Sequence, residues 1–483
     1  MKQAGALFFL SLIMGLLLIN EGLFHYDAVK LAQAVEKTYA TARLEPATVG
    51  RYGAVILSAI VYFPFFLFKQ NADFAVRLTT VIFYALSVAM LFIFIKELTR
   101  DSLQAIFASL LFCFTPFYFM PNTYGKEHGM AMFFLLLSFY LVYKGGVKKS
   151  AWFLGASGLA FIFSLTIRES ILIVVPLLFL LYLRPEISLR PLKIRIPQDC
   201  FSPRLFLSFI LPLILGFCFI FFIYFKSSLY RALFMRDTAS TYFIGLFSRS
   251  LMAALRDLSL TMPILLFLFF IFGVVRFKRQ GSNFLVTFFL VWLMSIFYFA
   301  NTNTYCARYL DIVIVPIYFF AAYILAGLYK KDKIIALSIM VYFILSMVIF
   351  MYPMLEFRHG YNGEKQFALY VKEKTESNAL IIAMDDAPFI EYYAKRQNMV
   401  HSVDGIKEAQ KFINDVEVRL KENLPVYLIE SGFSYDAKGI FKKAIGENFN
   451  LAIIGEKLAE DYHRPEMGFQ IYNQKLFKIL PKG

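Results

Sequence analysis

Apolar runs recur from Leu7 to Tyr352, separated by short polar or charged breaks. A helix that crosses bilayer hydrocarbon needs roughly 17 to 25 such residues. The pattern therefore predicts a polytopic α-helical membrane protein, with helices over 5–21, 76–95, 103–121, 129–143, 151–167, 170–183, 205–225, 258–275, 284–300, 310–329 and 334–352. That is about eleven transmembrane helices. One more apolar stretch, Tyr52 to Phe68, would invert every later loop if it crossed, so it is expected to be re-entrant or interfacial. From Glu356 to Gly483 the pattern turns polar, and helical and extended periodicities alternate. Helices are expected over 365–375, 388–395, 405–422 and 435–445, and strands over 379–384, 399–403, 426–430 and 451–454. Residues 1–355, with a first loop over 22–75, should thus form the membrane domain, and 356–483 a soluble C-terminal α/β domain.

Composition strengthens this reading. Hydrophobic residues make up 59% of the chain and include 57 Phe, more than a soluble core of this size buries. The net charge of +15 would suggest nucleic acid in a soluble protein, but here it belongs first to membrane orientation, and no nucleic-acid partner is expected. Lys96/Arg100, Lys144/Lys148/Lys149, Arg184 to Arg204, Arg276/Lys278/Arg279 and Lys330/Lys331/Lys333 all fall between apolar runs, on what should be the cytoplasmic side. The N-terminus then lies inside and the C-terminal domain outside. The run from Leu7 to Ile19 lacks a small-residue cleavage pattern and reads as a retained first helix. No N-x-S/T acceptor occurs, which favours a prokaryotic plasma membrane. Four cysteines form neither a disulfide framework nor a CxxC metal signature. No GxGxxG or P-loop supports nucleotide binding. Asp385-Asp386 follows an expected strand, where a helix N-cap is the commoner use of such a pair.

Ionisable residues at the outer ends of spanning helices are costly, which makes each a candidate site. His25-Tyr26-Asp27 follows the first helix, and Asp27 suits either a catalytic carboxylate or an N-cap. Lys126-Glu127-His128 breaks an apolar stretch at an outward turn. Its adjacent Glu and His do not face one ion in a helix, so metal binding is poorly supported and a cap is the alternative. Arg168-Glu169 has apolar flanks on both sides and could be a self-paired couple closing a hairpin. Arg308 and Tyr309, before Asp311, suit phosphate recognition through the planar guanidinium fork, with snorkelling to lipid as the alternative. Lys226, Arg231, Arg236, Arg249 and Arg256 crowd one outer loop against the charge bias, as expected where an anionic ligand or lipid headgroup is held.

Taken in order, "FHYDAVKLAQAV", "GRYGAVILSAIVYFPFFLF", "PFYFMPNTYGKEHGMAMFFLLLSFYLVYKG" and "CARYLDIVIVPIYF" resemble the GT-C glycosyltransferases. The similarity is to the branch holding protein O-mannosyltransferases and the lipid A aminoarabinose transferase. It implies transfer of a sugar, with inversion, from a polyprenyl-phosphate carrier to a lipid, glycan or protein acceptor at the outer face. By the same resemblance Asp27 is the acceptor base, Glu127 the second-loop carboxylate, and Arg308 of the RY pair a carrier-phosphate ligand. Tyr309, Lys126 and Arg168 join it as donor-phosphate candidates, and His25, Tyr26, Glu169, Arg231 and Arg236 as substrate-binding candidates. In many relatives Asp is followed by Glu, whereas Asp27 is followed by Ala28, and acceptor class stays open. A phosphate leaving group needs cations more than a general acid, so no metal or other cofactor is required. A lipid-linked polysaccharide polymerase or ligase is the nearest alternative. A transporter would show internal repeats and midplane polar residues, and neither is present.

Overall fold

The computed structural model describes residues 2–47, 51–189, 192–197, 202–225, 249–280, 283–300, 307–383, 386–399, 406–433, 439–460 and 471–482. The chain divides into two compact units, one of 1–19 and 34–355 and the other of 20–33 and 356–483.

The first unit is helical, with one short antiparallel ribbon, β1 (Glu186–Leu189) and β2 (Leu192–Arg195). Its helices begin with α1 (Lys2–Leu17), α2 (Tyr26–Thr41, shared with the other unit), α3 (Tyr52–Leu67), α4 (Asp73–Thr99), α5 (Ser102–Cys113), α6 (Pro116–Thr123) and α7 (His128–Lys148). They continue with α8 (Ala151–Ile167), α9 (Val175–Leu183), α10 (Pro203–Phe225), α11 (Arg249–Thr261), α12 (Ile264–Gln280), α13 (Asn283–Leu293) and α14 (Ser295–Ala300). After α15 (Leu310–Val313) come α16 (Val315–Tyr329) and α17 (Lys333–Gly360).

Among the described residues, five helices are long and apolar enough to cross a membrane, and seven if each of two bent pairs counts as one span. Several of the roughly eleven expected spans coincide instead with apolar helices of 10–17 residues, including α1, α8 and α13. The expected span over 103–121 is broken into α5 and α6, bent by 56°. Pro116 is the reason, because it cannot donate to a continuing ladder and pushes Thr115 out of the helical region, to φ −71°, ψ 130°. Likewise α11 and α12 meet at 107° where Pro263 interrupts the chain, so the run expected over 258–275 is two helices. The Tyr52–Phe68 stretch is helical as α3.

Without water between helices, small residues and buried hydroxyls set their spacing. Ser138 on α7 and Ser157 on α8 each donate to the other's backbone carbonyl, at 2.9 and 3.0 Å, and Ser164 Oγ donates to the Ala131 carbonyl at 2.7 Å. Farther along, Phe289 of α13 stacks on Phe319 of α16 with ring centroids 3.8 Å apart. By contrast α10 has only 17% of its apolar window buried, as a helix facing lipid would.

The second unit is an α/β layer. Its sheet has the order β4-β3-β5-β7-β6, with β3 (Leu380–Ile382) parallel to both β4 (Gln397–Met399) and β5 (Val426–Ile429). Two long strands, β6 (Phe449–Glu460) and β7 (Ile471–Pro481), run antiparallel to each other, and β7 antiparallel to β5. The alternation after 364 predicted this class; β7 was not anticipated, because Ile471 to Pro481 interleaves Lys and Gln with its apolar positions. Leu380, Ile382, Val426 and Leu428 pack against Phe412, Ile413 and Val416 of α19 (Ile406–Lys421) and against Phe441 and Ile445 of α20 (Ile440–Asn448). The helix before β3 is α18 (Gly363–Lys374). Asp386 caps nothing with its side chain. Its buried carboxylate instead accepts hydrogen bonds from Ser431 Oγ and, at 2.9 Å, from Gln474 Nε2. Asp385 and most of the expected 399–403 strand lie outside the described residues.

Candidate functional site

The candidate residues fall into two groups, one in each unit. In the first unit, the start of α7 is clamped to α4 and α6. The Gly129 N–H donates to Asn122 Oδ1 at 2.7 Å, and Ser87 Oγ donates to the Gly129 carbonyl at 2.8 Å. A Cβ on residue 129 would lie 2.7 Å from the Tyr84 nitrogen, so only glycine permits this approach. The clamp fixes Lys126-Glu127-His128, all three buried, at the end of the bundle.

From there an ionic network spreads through parts of the chain far apart in sequence. Glu127 Oε1 accepts from Arg51 Nη1 at 2.6 Å, and Arg51 sends its Nη2 and Nε to the two oxygens of Glu169 at 3.2 and 3.3 Å. Next along the chain, His128 Nδ1 lies 2.7 Å from Asp311 Oδ2, which also accepts from Arg168 Nη1 at 2.9 Å. Arg168 Nη1 also lies 3.0 Å from the same His128 Nδ1, so the imidazole, the guanidinium and the carboxylate meet at one point. Asp311 is fully buried, and its other oxygen accepts from the Ile312 N–H at 2.8 Å. Arg168 therefore does not pair with Glu169; each binds a different, distant partner, which overturns the self-paired hairpin reading.

Arg308 and Arg168 converge on one ring. Their guanidinium carbons lie 5.5 and 5.3 Å from the Tyr309 centroid, within cation–π range. Arg308 and Arg168 are both buried, and Arg168 Nη2 has no hydrogen-bond partner among the described residues. A buried guanidinium N–H left unpaired is costly unless an acceptor arrives. Arg51, Arg168 and Arg308 match Glu127, Glu169 and Asp311 in number, and the buried Lys126 adjoins Glu127 in sequence. Glu127 is held by Arg51.

In the second unit, His25-Tyr26-Asp27 opens α2. His25 Nδ1 accepts from the Asp27 N–H at 3.1 Å, and the His25 carbonyl accepts from Ala28 and Val29 at 2.9 and 3.1 Å. The cap is therefore His25, and Asp27 is a buried residue one position inside the helix, its Oδ2 3.8 Å from His25 Nδ1. Tyr26 packs on the His25 ring with centroids 4.5 Å apart. The preceding segment is stitched within this unit: Leu23 N–H donates to the Tyr393 hydroxyl at 3.1 Å, and Lys365 Nζ to the Glu21 carbonyl at 3.0 Å.

Arg231 and Arg236 lie outside the described residues, as do Tyr305 and Cys306. Sequence reasoning passed over Arg51 and gave Asp311 and His128 no partner. The available signal was their type alone, an ionisable side chain beside an apolar run. Among the described residues no three metal-ligating side chains gather.

Residues 54–198 match the family model described as dolichyl-phosphate-mannose-protein mannosyltransferase. No curated protein sequence matches the chain significantly. Solved structures do. The oligosaccharyltransferase of Archaeoglobus fulgidus, in complex with zinc and sulfate, superposes with a TM-score of 0.57 at 13% identity, over 97% of this chain and 73% of that one. ArnT from Cupriavidus metallidurans, bound to undecaprenyl phosphate, gives 0.59 at 9% identity over 98% of this chain and 97% of that one. The mycobacterial arabinofuranosyltransferase AftD gives 0.53 at 11% identity, covering 100% of this chain but 42% of its own length. Family model and folds agree with what the sequence motifs resemble: the chain shares the fold of these solved structures, and over residues 54–198 it is similar to the mannosyltransferase family model.

Proposed function

We propose that the chain is a glycosyltransferase that moves a sugar from a polyprenyl-phosphate-linked donor to a lipid, glycan or protein acceptor at the extracytoplasmic face of a prokaryotic plasma membrane. The observation that carries this is the buried ionic network ending in Arg168 Nη2, unpartnered among the described residues, beside Arg308 and Tyr309. Two neighbours in fold support a lipid-phosphate donor: ArnT holds undecaprenyl phosphate, and the archaeal oligosaccharyltransferase AglB holds a dolichol-phosphate with an inhibitory peptide.

In the proposed reaction an acceptor oxygen attacks the anomeric carbon while the bond from that carbon to the carrier phosphate breaks. The phosphate leaves with the electron pair. Arg168, Arg308 and Lys126 neutralise its developing charge, which preorganised cations in a dry site do far better than water. Asp311 and His128 hold Arg168 in place, and Arg51 fixes Glu127 and Glu169. Asp27 is the proposed base that accepts the acceptor proton, and a single displacement inverts the sugar. The eleven-helix topology with an outer C-terminal domain belongs to the same proposal.

Mass spectrometry of membrane glycolipids and glycoproteins, with and without the chain, tests the reading. One glycoconjugate should disappear without it while its polyprenyl-phosphate-sugar donor accumulates. An unchanged glycan inventory with altered export of a small solute would put a transporter in its place.

A further inference from the structure

We propose that a basic cavity where α7 ends and α8 and α10 begin binds the phosphate headgroup of an anionic membrane lipid, at the opposite helix ends from the Lys126–Arg168 network. The cavity has a volume of about 670 Å³, and Lys148, Lys149, Ser150, Trp152, Ser202 and Arg204 line it. No carboxylate is among its described lining residues.

The basic lining and an uncapped helix start together suit a phosphate there. Ser150 precedes α8 without making a side-chain cap, so the first backbone N–H groups of that helix remain available as donors beside the lysines. Lys149 holds a left-handed backbone, φ 52°, at the end of α7. Glycine is the relaxed choice at that position; Lys69, Arg100, Arg184 and Lys395 hold the same conformation, so it places the Lys149 charge at the cavity without itself choosing a ligand. The helices that frame the cavity are held close: a Cβ on Gly158 of α8 would lie 2.9 Å from Pro212 Cβ of α10.

The cavity's surroundings select a lipid over a soluble anion. Trp152 at its rim is 80% exposed, as an interfacial anchor would be. Below it the flanks of α8 and α10 present Leu159, Leu207 and Leu211, 63%, 57% and 51% exposed, an apolar path for acyl chains. Charge bias assigns this end to the cytoplasmic leaflet, where basic clusters meet anionic lipids.

Native mass spectrometry of the full chain in detergent, titrated with dioleoylphosphatidylglycerol or dioleoylphosphatidylcholine, measures the binding. The wild type should retain phosphatidylglycerol preferentially. Lys148→Gln/Arg204→Gln should weaken it by roughly tenfold or more and leave phosphatidylcholine unchanged. Lys149→Gly, which relaxes the turn, should also weaken phosphatidylglycerol while its melting temperature stays level or rises, separating charge from folding. Unchanged phosphatidylglycerol affinity in both variants overturns the proposal. Displacement of the lipid by an equal concentration of inorganic phosphate overturns its lipid part and leaves a soluble-anion site.

Discussion

A carboxylate in the first turn of a helix ordinarily serves the helix. At α2 that duty belongs to His25, whose ring nitrogen and carbonyl accept the first N–H groups. Asp27→Asn, nearly the same shape, should leave the chain folded and membrane-inserted while sugar transfer by purified protein, compared at matched thermal stability, falls by roughly 10²-fold or more, because the amide cannot take a proton. Near-normal turnover would remove Asp27 from the mechanism. For Arg308 the question is shape rather than charge. Arg308→Lys keeps the cation but loses the planar fork and its place over Tyr309. Donor binding should weaken by about 1.5 to 3 kcal/mol, the worth of a charge-assisted hydrogen bond; unchanged affinity would mean the side chain only reaches for lipid phosphate.

At the scale of elements, the start of α5 joins capping to an ion pair. Asp101 Oδ1 accepts from the N–H groups of Leu103 and Gln104 at 2.9 and 3.2 Å, and Oδ2 from Lys330 Nζ at 2.7 Å. Burial alone would push this carboxyl up, but the bond from Lys330 and the two backbone donors together hold it below the usual range. A depressed folded pKa contributes stability above the unfolded value and loses it as pH falls through the folded one. Asp101→Ala should cost about 1 to 2 kcal/mol near neutral pH, and Asp101→Asn, which keeps the cap, under about 1 kcal/mol because Lys330 is exposed. Thermal unfolding in detergent should show the wild-type advantage shrinking on acidification below the ordinary carboxylate range. An advantage independent of pH would deny the ionised carboxylate any part.

For the whole molecule, the charge bias makes a prediction no single helix can. A reporter fused after Lys331 should read cytoplasmic and one fused after Gly483 extracytoplasmic. The opposite pair of signals would invert the proposed orientation and move the proposed phosphate-binding group to the wrong face. That ionic network is also where the bulk hydropathy pattern says least: it is a small polar island in a chain of mean hydropathy +0.61.

The membrane class, the GT-C resemblance and the α/β character of the C-terminal region were legible in the sequence, because they depend on properties that repeat locally: apolar runs, periodicity and motifs read in order. So were Glu127, Arg168 and Arg308 as candidates, since each interrupts an apolar stretch. Their partners were not. Arg51 meets Glu127 and Glu169 across 76 and 118 residues, and Asp311 meets Arg168 and His128 across 143 and 183. No local pattern encodes such distances. Only the packing of α3, α7, α8 and α15 decides which charge neutralises which, because in a dry interior each must find a counter-charge, wherever in the chain it lies.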